Sequence, residues 1–375
     1  MTAPYPIALA PYASIADSQM RLIRPATSYS SCPPGLFGFR LPTHRPTPAD
    51  IQRARAFLAI LARPDVACPP EAVMLFRDAY VLDGKHILSR ECVGVAESFG
   101  DTVDPTEHRK RQFDQLRDIA DHKYVTLAEA GPPVVAIAQG ASYNFGHMLV
   151  EILPRLVHVA DLGMRIMRLL LPNDSEPLQD MVATALRALG LQAEYVFCPG
   201  GSILRIPALH WVTPVAKHEH RKSPTLLRLV ERLVATAPAT DGAKRLYIAR
   251  PRAARRKLVN ATEVEEAATR AGFQVVEPSS LPFASQVALF AGANTVVGPM
   301  GAGLTLAAIM PQGGQVAMFE GGNCDFFFWD LACLAGHRFD WAFTAPVTAF
   351  DSQMLERDMT IDPALARQVL AALTG

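Results

Sequence analysis

NTVVGPMGAGLTLAAIM, residues 294–310, is the stretch around which the chain is organised. Val296 and Val297 are typical of a short buried strand, and the glycines that follow predict a turn and then an apolar helix. Backbone N–H groups at such a helix start favour an anion, so the turn is a candidate phosphate site. The spacing G-x-x-G-x-G is not the dinucleotide fingerprint, however, and glycines needed for packing alone would give the same pattern.

The composition is that of a folded protein. At 375 residues the chain exceeds what a single core usually holds, and half of its residues are apolar. The 36 basic and 36 acidic residues cancel, which argues against a surface that binds nucleic acid as a whole. Six scattered cysteines without a C-x-x-C pair indicate reduced thiols, and no apolar run approaches the roughly 20 residues of a membrane span. We expect a cytoplasmic protein, with peripheral membrane association left open.

Strand and helix patterns alternate along most of the chain, which predicts an α/β fold with parallel sheets. The first 70 residues are proline-rich and predict irregular chain apart from a helix at 51–61, whereas 72–90 predicts a hairpin around an Asp-Gly turn. Later strands are predicted at 134–138, 168–171, 193–198, 203–212, 246–249, 273–276, 296–297 and 316–319. Helices are predicted at 105–122, 143–162, 178–189, 224–236, 262–271, 283–291, 304–310, 326–334 and 363–373.

A linker-like segment at 237–242 predicts a domain boundary. It divides the chain into a first domain at 1–237, which includes the irregular N-terminal segment, and a second domain at 243–375. The last helix belongs to the second domain or packs back on the first.

The helix predicted at 143–162, YNFGHMLVEILPRLVHVADL, carries one polar stripe on an apolar background. The stripe consists of His147, Glu151, Arg155 and His158, which fall three or four residues apart. Pro154 lacks an N–H and crowds the preceding turn, so we expect it to kink or interrupt this helix.

Seven basic residues and no acidic one lie between Gly242 and Thr262. They follow the first strand of the second domain, where doubly wound sheets bind ligands, and arginines there can hold phosphate oxygens in bidentate fashion. A solvated basic loop would have the same composition. The seven are Lys244, Arg245, Arg250, Arg252, Arg255, Arg256 and Lys257.

The segment 217–222 contains His218 and His220 in a spacing that metal sites use. A third ligand is not apparent nearby, so an exposed loop is the favoured interpretation.

In their order along the chain, these pieces resemble glycosyltransferase family 61, a group that includes bacterial capsular polysaccharide enzymes and eukaryotic xylosyl- and N-acetylglucosaminyltransferases. HMLVEILPRL at 147–156 resembles the family's His-Trp-x-x-Glu-x-x-Pro-Arg-Leu segment, with Met148 in place of the tryptophan. YIARPRAARRKLVN at 247–260 resembles its strand followed by two arginines and an asparagine, and 272–320 resembles its long segment that includes Gln286. The resemblance covers roughly the last two thirds of the chain.

This resemblance implies the glycosyltransferase B fold, in which two Rossmann-like domains face a cleft, the second binding the donor and the first the acceptor. It also implies inverting transfer of a hexosyl or pentosyl group from a nucleotide sugar to a glycan acceptor in surface or capsular polysaccharide synthesis. The chain contains no Asp-x-Asp metal motif. We therefore expect a metal-independent reaction without a cofactor, in which arginines and a helix start stabilise the diphosphate.

The expected catalytic residues are His147 and Glu151, as a general base and its orienting partner, although they could also form a structural pair. The expected donor-binding residues are Arg250, Arg256, Asn260, Gln286, Gly298, Met300, Gly301, Ala302, Gly303 and Glu320. For Gln286 the alternative is a role in capping or packing its helix, and for Glu320 it is an ion pair with an arginine of the basic cluster.

Two positions of the glycine turn depart from the family pattern. Met300 and Leu306 stand where the family usually has histidine and asparagine, and Ala261 stands where an acidic residue often follows Asn260. Either the donor differs or activity is reduced, so the alternative function is a non-catalytic member that binds nucleotide sugar or glycan. A nicotinamide dehydrogenase is disfavoured because the dinucleotide fingerprint is absent.

Overall fold

The fold was analysed on a computed structural model, which describes residues 9–15, 18–41, 45–91, 93–98, 124–139, 142–172, 176–198, 202–216, 221–239, 242–251, 257–322, 324–347 and 358–374. The chain divides into two compact units. The first comprises Met1–Thr27, Cys68–His218 and Ser223–Arg232, and the second comprises Ser28–Ala67, Glu219–Lys222 and Leu233–Gly375.

Both units are discontinuous, unlike the domains predicted from the sequence. Ser28–Ala67 belongs to the second unit, because its strand Gly35–Phe37 pairs in parallel with Arg338–Phe343. Later in the chain the division falls at Arg232, inside the helix Thr225–Thr236. The boundary at 237–243 stays a prediction.

Ten strands form one sheet in the described part of the first unit, and its central part contains four neighbouring strands that pair in parallel. Across the sheet these four run in the order Ile203–Val212, Val134–Ala136, Ile166–Pro172 and Gln192–Cys198. Numbered by their order in the chain, these strands read 4-1-2-3 across the sheet. The second strand therefore lies on one side of the first, and the fourth strand lies on its other side. Such a reversal opens a crevice at the carboxyl ends of strands 1 and 4, where α/β sheets bind ligands.

The sheet of the first unit is mixed, because the predicted hairpin adds antiparallel strands beside the predicted parallel ones. Glu71–Leu82 pairs antiparallel with Ile203–Val212, and Ser18–Arg24 and His86–Leu88 pair antiparallel with Glu71–Leu82. The predicted hairpin is confirmed, since Asp83 and Gly84 have φ values of 53° and 69°. The remaining strands are Leu9–Ala10, Gly94–Val95 and Val125–Thr126.

Helices pack against the parallel part of this sheet. A core cluster of its strands includes Phe76, Leu170 and Trp211. The helices are Phe145–His147, Met148–Ile152, Arg155–Asp161, Glu176–Leu189 and Thr225–Thr236, with 3₁₀ turns at Tyr12–Ser14 and Ala96–Ser98. The helix predicted at 105–122 lies outside the described residues.

Six parallel strands form the sheet in the described part of the second unit. Their order across the sheet is Gln274–Val276, Arg245–Ile248, Thr295–Pro299, Gln315–Glu320, Arg338–Phe343 and Gly35–Phe37. In chain order the first five read 2-1-3-4-5, a doubly wound arrangement whose direction reverses between strands 1 and 3. The chain segments after Ile248 and Pro299 therefore leave the sheet in opposite directions. The crevice between them is the usual position of a ligand site.

The helices of the second unit are Pro48–Leu61, Ala261–Arg270, Phe283–Ala291, Phe327–Leu334 and Pro363–Ala372, with a 3₁₀ turn at Pro278–Ser280. The segment after the glycine turn is a 3₁₀ helix, Ala302–Ile309, and not the predicted α-helix. Leu304 N donates to Gly301 O at 2.9 Å, and Thr305 Oγ1 donates to Ala302 O at 2.6 Å. Both hydrogen bonds span three residues.

The last helix begins as predicted at the cap Asp362, whose side chain accepts from Ala364 N. The sequence left open whether this helix packs on the first domain. Its buried face, with Val369 and Leu370, instead lies in the core of the second unit with Tyr247 and Phe319.

The N-terminal region contains strands that the sequence did not predict, including Thr27–Ser30, Gly35–Phe37 and Asp65–Cys68. Their side chains are mostly half-buried or exposed, so hydrophobic periodicity does not reveal them. In the described part of the chain, no helix combines the length and apolarity that a bilayer span requires.

Candidate functional site

The polar helix of the first unit is built around two irregularities. Asn144 caps its start, since its side chain accepts from Gly146 N at 2.8 Å and from His147 N at 3.4 Å. Met148–Ile152 is then a π turn, in which Leu153 N donates to Met148 O at 2.9 Å, before Pro154 precedes the α-helix Arg155–Asp161. The predicted interruption at Pro154 is confirmed, because proline removes one helix donor and crowds the carbonyl four residues back.

His147 and Glu151 lie together on this helix. His147 Nδ1 is 2.9 Å from Glu151 Oε1, and the His147 side chain is 19% exposed while that of Glu151 is 2% exposed. The carboxylate is thus buried beside an imidazole that reaches the surface. A histidine held this way can accept a proton at its second ring nitrogen, which is the geometry of a general base with an orienting carboxylate.

Gln139 and Arg155 complete a buried chain behind this pair. Gln139 Nε2 donates to Glu151 Oε2 at 2.6 Å, and Arg155 donates through Nη2 to Gln139 Oε1. Gln139 comes shortly after the strand Val134–Ala136, at the carboxyl end where the sheet order reverses. Sequence reasoning missed Gln139, although a polar side chain directly after a buried strand is the signal that could have found it.

Arg155 is fully buried and ties this chain to the backbone. Its Nε donates to Glu151 O at 3.0 Å and its Nη1 to Val212 O at 3.4 Å, at the end of the neighbouring strand. Burial lowers the pKa of Arg155 to about 9, an effect that Glu151 opposes. The guanidinium is therefore a cation at neutral pH, and it balances the buried carboxylate.

His158, the fourth member of the predicted stripe, belongs to a separate cluster. Its Nε2 contacts Glu71, whose carboxylate also accepts from Ser223 Oγ and, at 2.7 Å, from Thr225 Oγ1. Burial by itself would raise the pKa of Glu71, but the hydrogen bonds from His158, Ser223 and Thr225 lower it below its ordinary value. All four residues are buried, so this cluster serves the fold of the first unit.

In the second unit the glycine turn follows the third strand of the sheet, at the reversal of strand order. Gly298 lies beside Ile248 on the neighbouring strand, and a Cβ on Gly298 would stand 2.9 Å from Ile248 O. A Cβ on Gly303 would stand 3.1 Å from Ile248 Cγ2. Glycine is therefore required for close packing at these two positions, as the packing interpretation held.

Gly301 differs from these two glycines. Its backbone is extended, and a Cβ there would meet the Arg250 guanidinium at 3.6 Å, which is ordinary contact. Arg250 Nη1 donates to Met300 O at 2.8 Å. The structure thus brings Arg250 and the glycine turn together at the carboxyl ends of adjacent strands, as predicted.

The basic cluster does not form a single site. Lys244 and Arg245 lie at the amino end of the strand Arg245–Ile248, and Lys244 Nζ donates to Gly292 O at 3.0 Å. The length of the strand separates them from Arg250, at roughly 3.3 Å per residue. Arg252, Arg255 and Arg256 lie outside the described residues.

Three expected donor-binding residues make contacts within the second unit. Asn260 exchanges hydrogen bonds with the backbone of Ile361, at 2.8 Å and 3.1 Å. The Glu320 carboxylate is fully buried and accepts from Trp341 Nε1 and from Cys324 N. Gln286 Nε2 donates to Leu281 O at 2.9 Å, and within the described residues Gln286 Oε1 has no hydrogen-bond donor. The roles of all three in donor binding stay predictions.

The two residues of the glycine turn that depart from the family pattern are buried. The side chains of Met300 and Leu306 are 6% and 0% exposed. The backbone of Met300 makes two hydrogen bonds. Its N–H donates to Phe319 O, and its carbonyl accepts from Arg250. Ala302 begins the 3₁₀ helix, with its carbonyl bonded to Thr305.

The described residues contain no group of three or more His, Cys, Asp or Glu side chains that could hold a metal ion, and His218 and His220 lie outside them. A cavity of about 250 Å³ occurs elsewhere in the first unit, between helices. Asp161, Arg165, Arg228 and Glu231 line it, and it contains none of the predicted site residues.

Comparison with known protein families identifies the segment that carries these features. Residues 145–317 match the family model described as Glycosyltransferase 61. This segment belongs to glycosyltransferase family 61. The match includes His147, Glu151, Arg250 and the glycine turn, and it confirms the resemblance recognised in the sequence. No curated protein matches the chain.

Membership of family 61 implies glycosyltransferase activity, and therefore a sugar donor and an acceptor as substrates. Gln139 precedes the matched segment and Glu320 follows it. The matched segment thus contains every expected catalytic and donor-binding residue except Glu320, and it does not contain Gln139.

Proposed function

We propose that this protein is a metal-independent, inverting glycosyltransferase. It moves a hexosyl or pentosyl group from a nucleotide sugar to a glycan acceptor in surface or capsular polysaccharide synthesis, without a cofactor. The observation that carries the proposal is the placement of Arg250 beside the glycine turn, at the reversal of strand order in a family 61 sequence. Doubly wound sheets bind nucleotides at this position.

The donor diphosphate is proposed to lie against the glycine turn. Gly301 is half-buried, and the guanidinium of Arg250 supplies positive charge directly beside it. Arg256 is proposed to add a second cation. The buried Oε1 of Gln286 is proposed to accept from a donor hydroxyl, on a helix that packs against the 3₁₀ helix after the turn. The remaining donor-binding residues are proposed to be Asn260, Gly298, Met300, Ala302, Gly303 and Glu320.

The acceptor is proposed to be activated in the first unit by His147. An acceptor hydroxyl gives its proton to His147 Nε2 while its oxygen forms a bond to the anomeric carbon of the donor. The bond from that carbon to the diphosphate oxygen breaks, and the nucleoside diphosphate leaves with the electron pair. Glu151 at Nδ1 stabilises the imidazolium that results.

The two units are proposed to be the acceptor and donor domains of a glycosyltransferase B fold. A cytoplasmic location, with peripheral association at the inner membrane, belongs to the same proposal. It would give the enzyme access to cytoplasmic nucleotide sugars and to a growing polysaccharide. Nucleic acid is not a proposed partner, because the formal charge of the chain is zero.

The test is nucleotide binding followed by turnover, using the full chain. We expect UDP, GDP or CMP to raise the unfolding temperature and NAD to leave it unchanged. With UDP-N-acetylglucosamine and UDP-xylose as donors, transfer or hydrolysis should continue in EDTA and release the sugar with inverted anomeric configuration. An unchanged unfolding temperature with every nucleotide would reject the donor site.

The alternative is a non-catalytic member that binds nucleotide sugar or glycan. Met300 and Leu306 favour it, because apolar, buried side chains occupy positions where the family usually has polar ones. Nucleotide binding without turnover of any donor would support this alternative and reject the enzyme.

A further inference from the structure

We propose that Gln139 is a positioning residue for the transfer reaction, which holds the Glu151 carboxylate against His147. This inference rests on the proposed function of His147 as the base. Gln139 lies outside the segment that matches the family, and its role follows from the contacts of its side chain.

The contacts form a line from a buried cation to a base at the surface. Arg155 donates to Gln139 Oε1, Gln139 Nε2 donates to Glu151 Oε2 at 2.6 Å, and Glu151 Oε1 lies 2.9 Å from His147 Nδ1. Arg155, Gln139 and Glu151 are 0%, 8% and 1% exposed, whereas the His147 side chain is 19% exposed. Only the last member is accessible to a substrate.

An amide suits the middle position because its two ends have opposite hydrogen-bonding character. The carbonyl oxygen faces the guanidinium of Arg155, and the amino group faces the carboxylate of Glu151. These two charges determine the orientation of the amide. A carboxylate at position 139 would repel Glu151, and an apolar side chain would leave one Glu151 oxygen without this donor.

The backbone of Gln139 is also fixed. Gln139 N donates to Ser142 Oγ at 2.9 Å, and Ser142 Oγ donates to Gln139 O at 2.6 Å. The preceding residues Ile137 and Ala138 are buried at the end of the strand. Gln139 therefore approaches Glu151 from a backbone position that Ser142 holds through two hydrogen bonds, as precise positioning of a catalytic group requires.

The consequence for His147 is a defined tautomer. With one Glu151 oxygen bonded to Gln139, the other lies 2.9 Å from Nδ1 of the imidazole, and a carboxylate at this distance favours the proton on Nδ1. Nε2 is then the basic nitrogen. Without Gln139 the carboxylate can rotate, and the population of His147 rings in the productive tautomer falls.

The experiment compares Gln139→Met, Gln139→Glu and the exposed control Gln192→Met in the full chain. With UDP-N-acetylglucosamine or UDP-xylose, Gln139→Met should lower kcat about 10- to 100-fold and leave KM for the donor within about twofold, since the donor site is unchanged. Gln192→Met should match wild type. Gln139→Glu should lose activity at neutral pH and recover relative to wild type as the pH falls, because a proton shared by the two carboxyl groups restores the donor.

A second measurement does not require turnover. ¹⁵N NMR of the His147 ring should show mainly the Nδ1–H tautomer in wild type and more Nε2–H in Gln139→Met. Equal tautomer populations in both, or an unchanged kcat of Gln139→Met at every pH, would overturn the positioning role. If wild type binds no nucleotide and turns over no donor, the proposed function fails, and the tautomer populations still decide whether Gln139 orients Glu151 and His147.

Discussion

Arg250 donates from its guanidinium to the backbone carbonyl of Met300 at 2.8 Å, across two adjacent strand ends of the second unit. This bond holds a cation against the turn that contains Gly301. It also uses the backbone of Met300, so the side chain at that position is not needed for the contact. The segment that matches family 61 therefore has this arrangement with methionine at 300.

Removing this cation should weaken nucleotide binding. We expect Arg250→Ala to lose about 1.5–3 kcal/mol of binding free energy for UDP or GDP, roughly 10- to 100-fold in Kd, because charge-assisted hydrogen bonds to phosphate are lost. Titration calorimetry measures this change. Arg270→Ala is the control, since Arg270 is 68% exposed and pairs only with Glu266 among the described residues. Equal affinity in both variants would contradict the role of Arg250.

The packing role of Gly298 predicts a loss of stability. In Gly298→Ala the new methyl group would meet Ile248 O at 2.9 Å and Ile248 Cβ at 3.0 Å, both on a neighbouring strand. We expect a decrease of about 1–3 kcal/mol in the free energy of unfolding, measured by urea denaturation. Gly321→Ala is the matched control, because no described atom lies within 4 Å of the corresponding Cβ. A Gly298→Ala protein as stable as this control would show that the strands separate easily.

Replacing His147 should lower the rate of transfer without weakening nucleotide binding. His147→Ala is expected to lower the transfer rate about 10²- to 10⁴-fold, the usual contribution of a general base. The Kd for UDP should stay close to wild type, because His147 belongs to the first unit and the proposed donor site to the second. Steady-state kinetics with the active donor provide the measurement. Full activity of this variant would reject His147 as the base.

The buried Glu71 cluster predicts a pH-dependent contribution to stability. Burial opposes ionisation of Glu71, but hydrogen bonds from His158, Ser223 and Thr225 outweigh it and lower its pKa below the ordinary 4.5. The ionised form therefore stabilises the fold above about pH 4.5, and this stabilisation is lost as the pH falls through the lowered pKa.

For this reason Glu71→Gln should cost about 1–3 kcal/mol of unfolding free energy at pH 7. The difference from wild type should narrow below pH 4.5, as measured by urea denaturation across the pH range. A difference that stays constant with pH would mean that packing, and not the charge of Glu71, carries the effect.

Local patterns in the sequence predicted much of the secondary structure. Apolar runs located the four neighbouring parallel strands of the first unit and four of the six in the second. Asp83 and Gly84 located the hairpin, and Pro154 located the break in the polar helix. Each of these signals acts between residues close in the chain. The strand Arg338–Phe343 was missed, because Arg338 and Asp340 interrupt its apolar pattern.

The sequence by itself determined the α/β class, the family and the candidates His147, Glu151, Arg250 and the glycine turn. Only the tertiary structure decided that an antiparallel hairpin extends the first sheet, that Lys244 and Arg245 lie at the opposite strand end from Arg250, and that Gln139 reaches Glu151. The physical reason is strand order. Pairing across a sheet joins residues such as Arg250 and Met300, which are far apart in the chain, and no local pattern specifies which strands become neighbours.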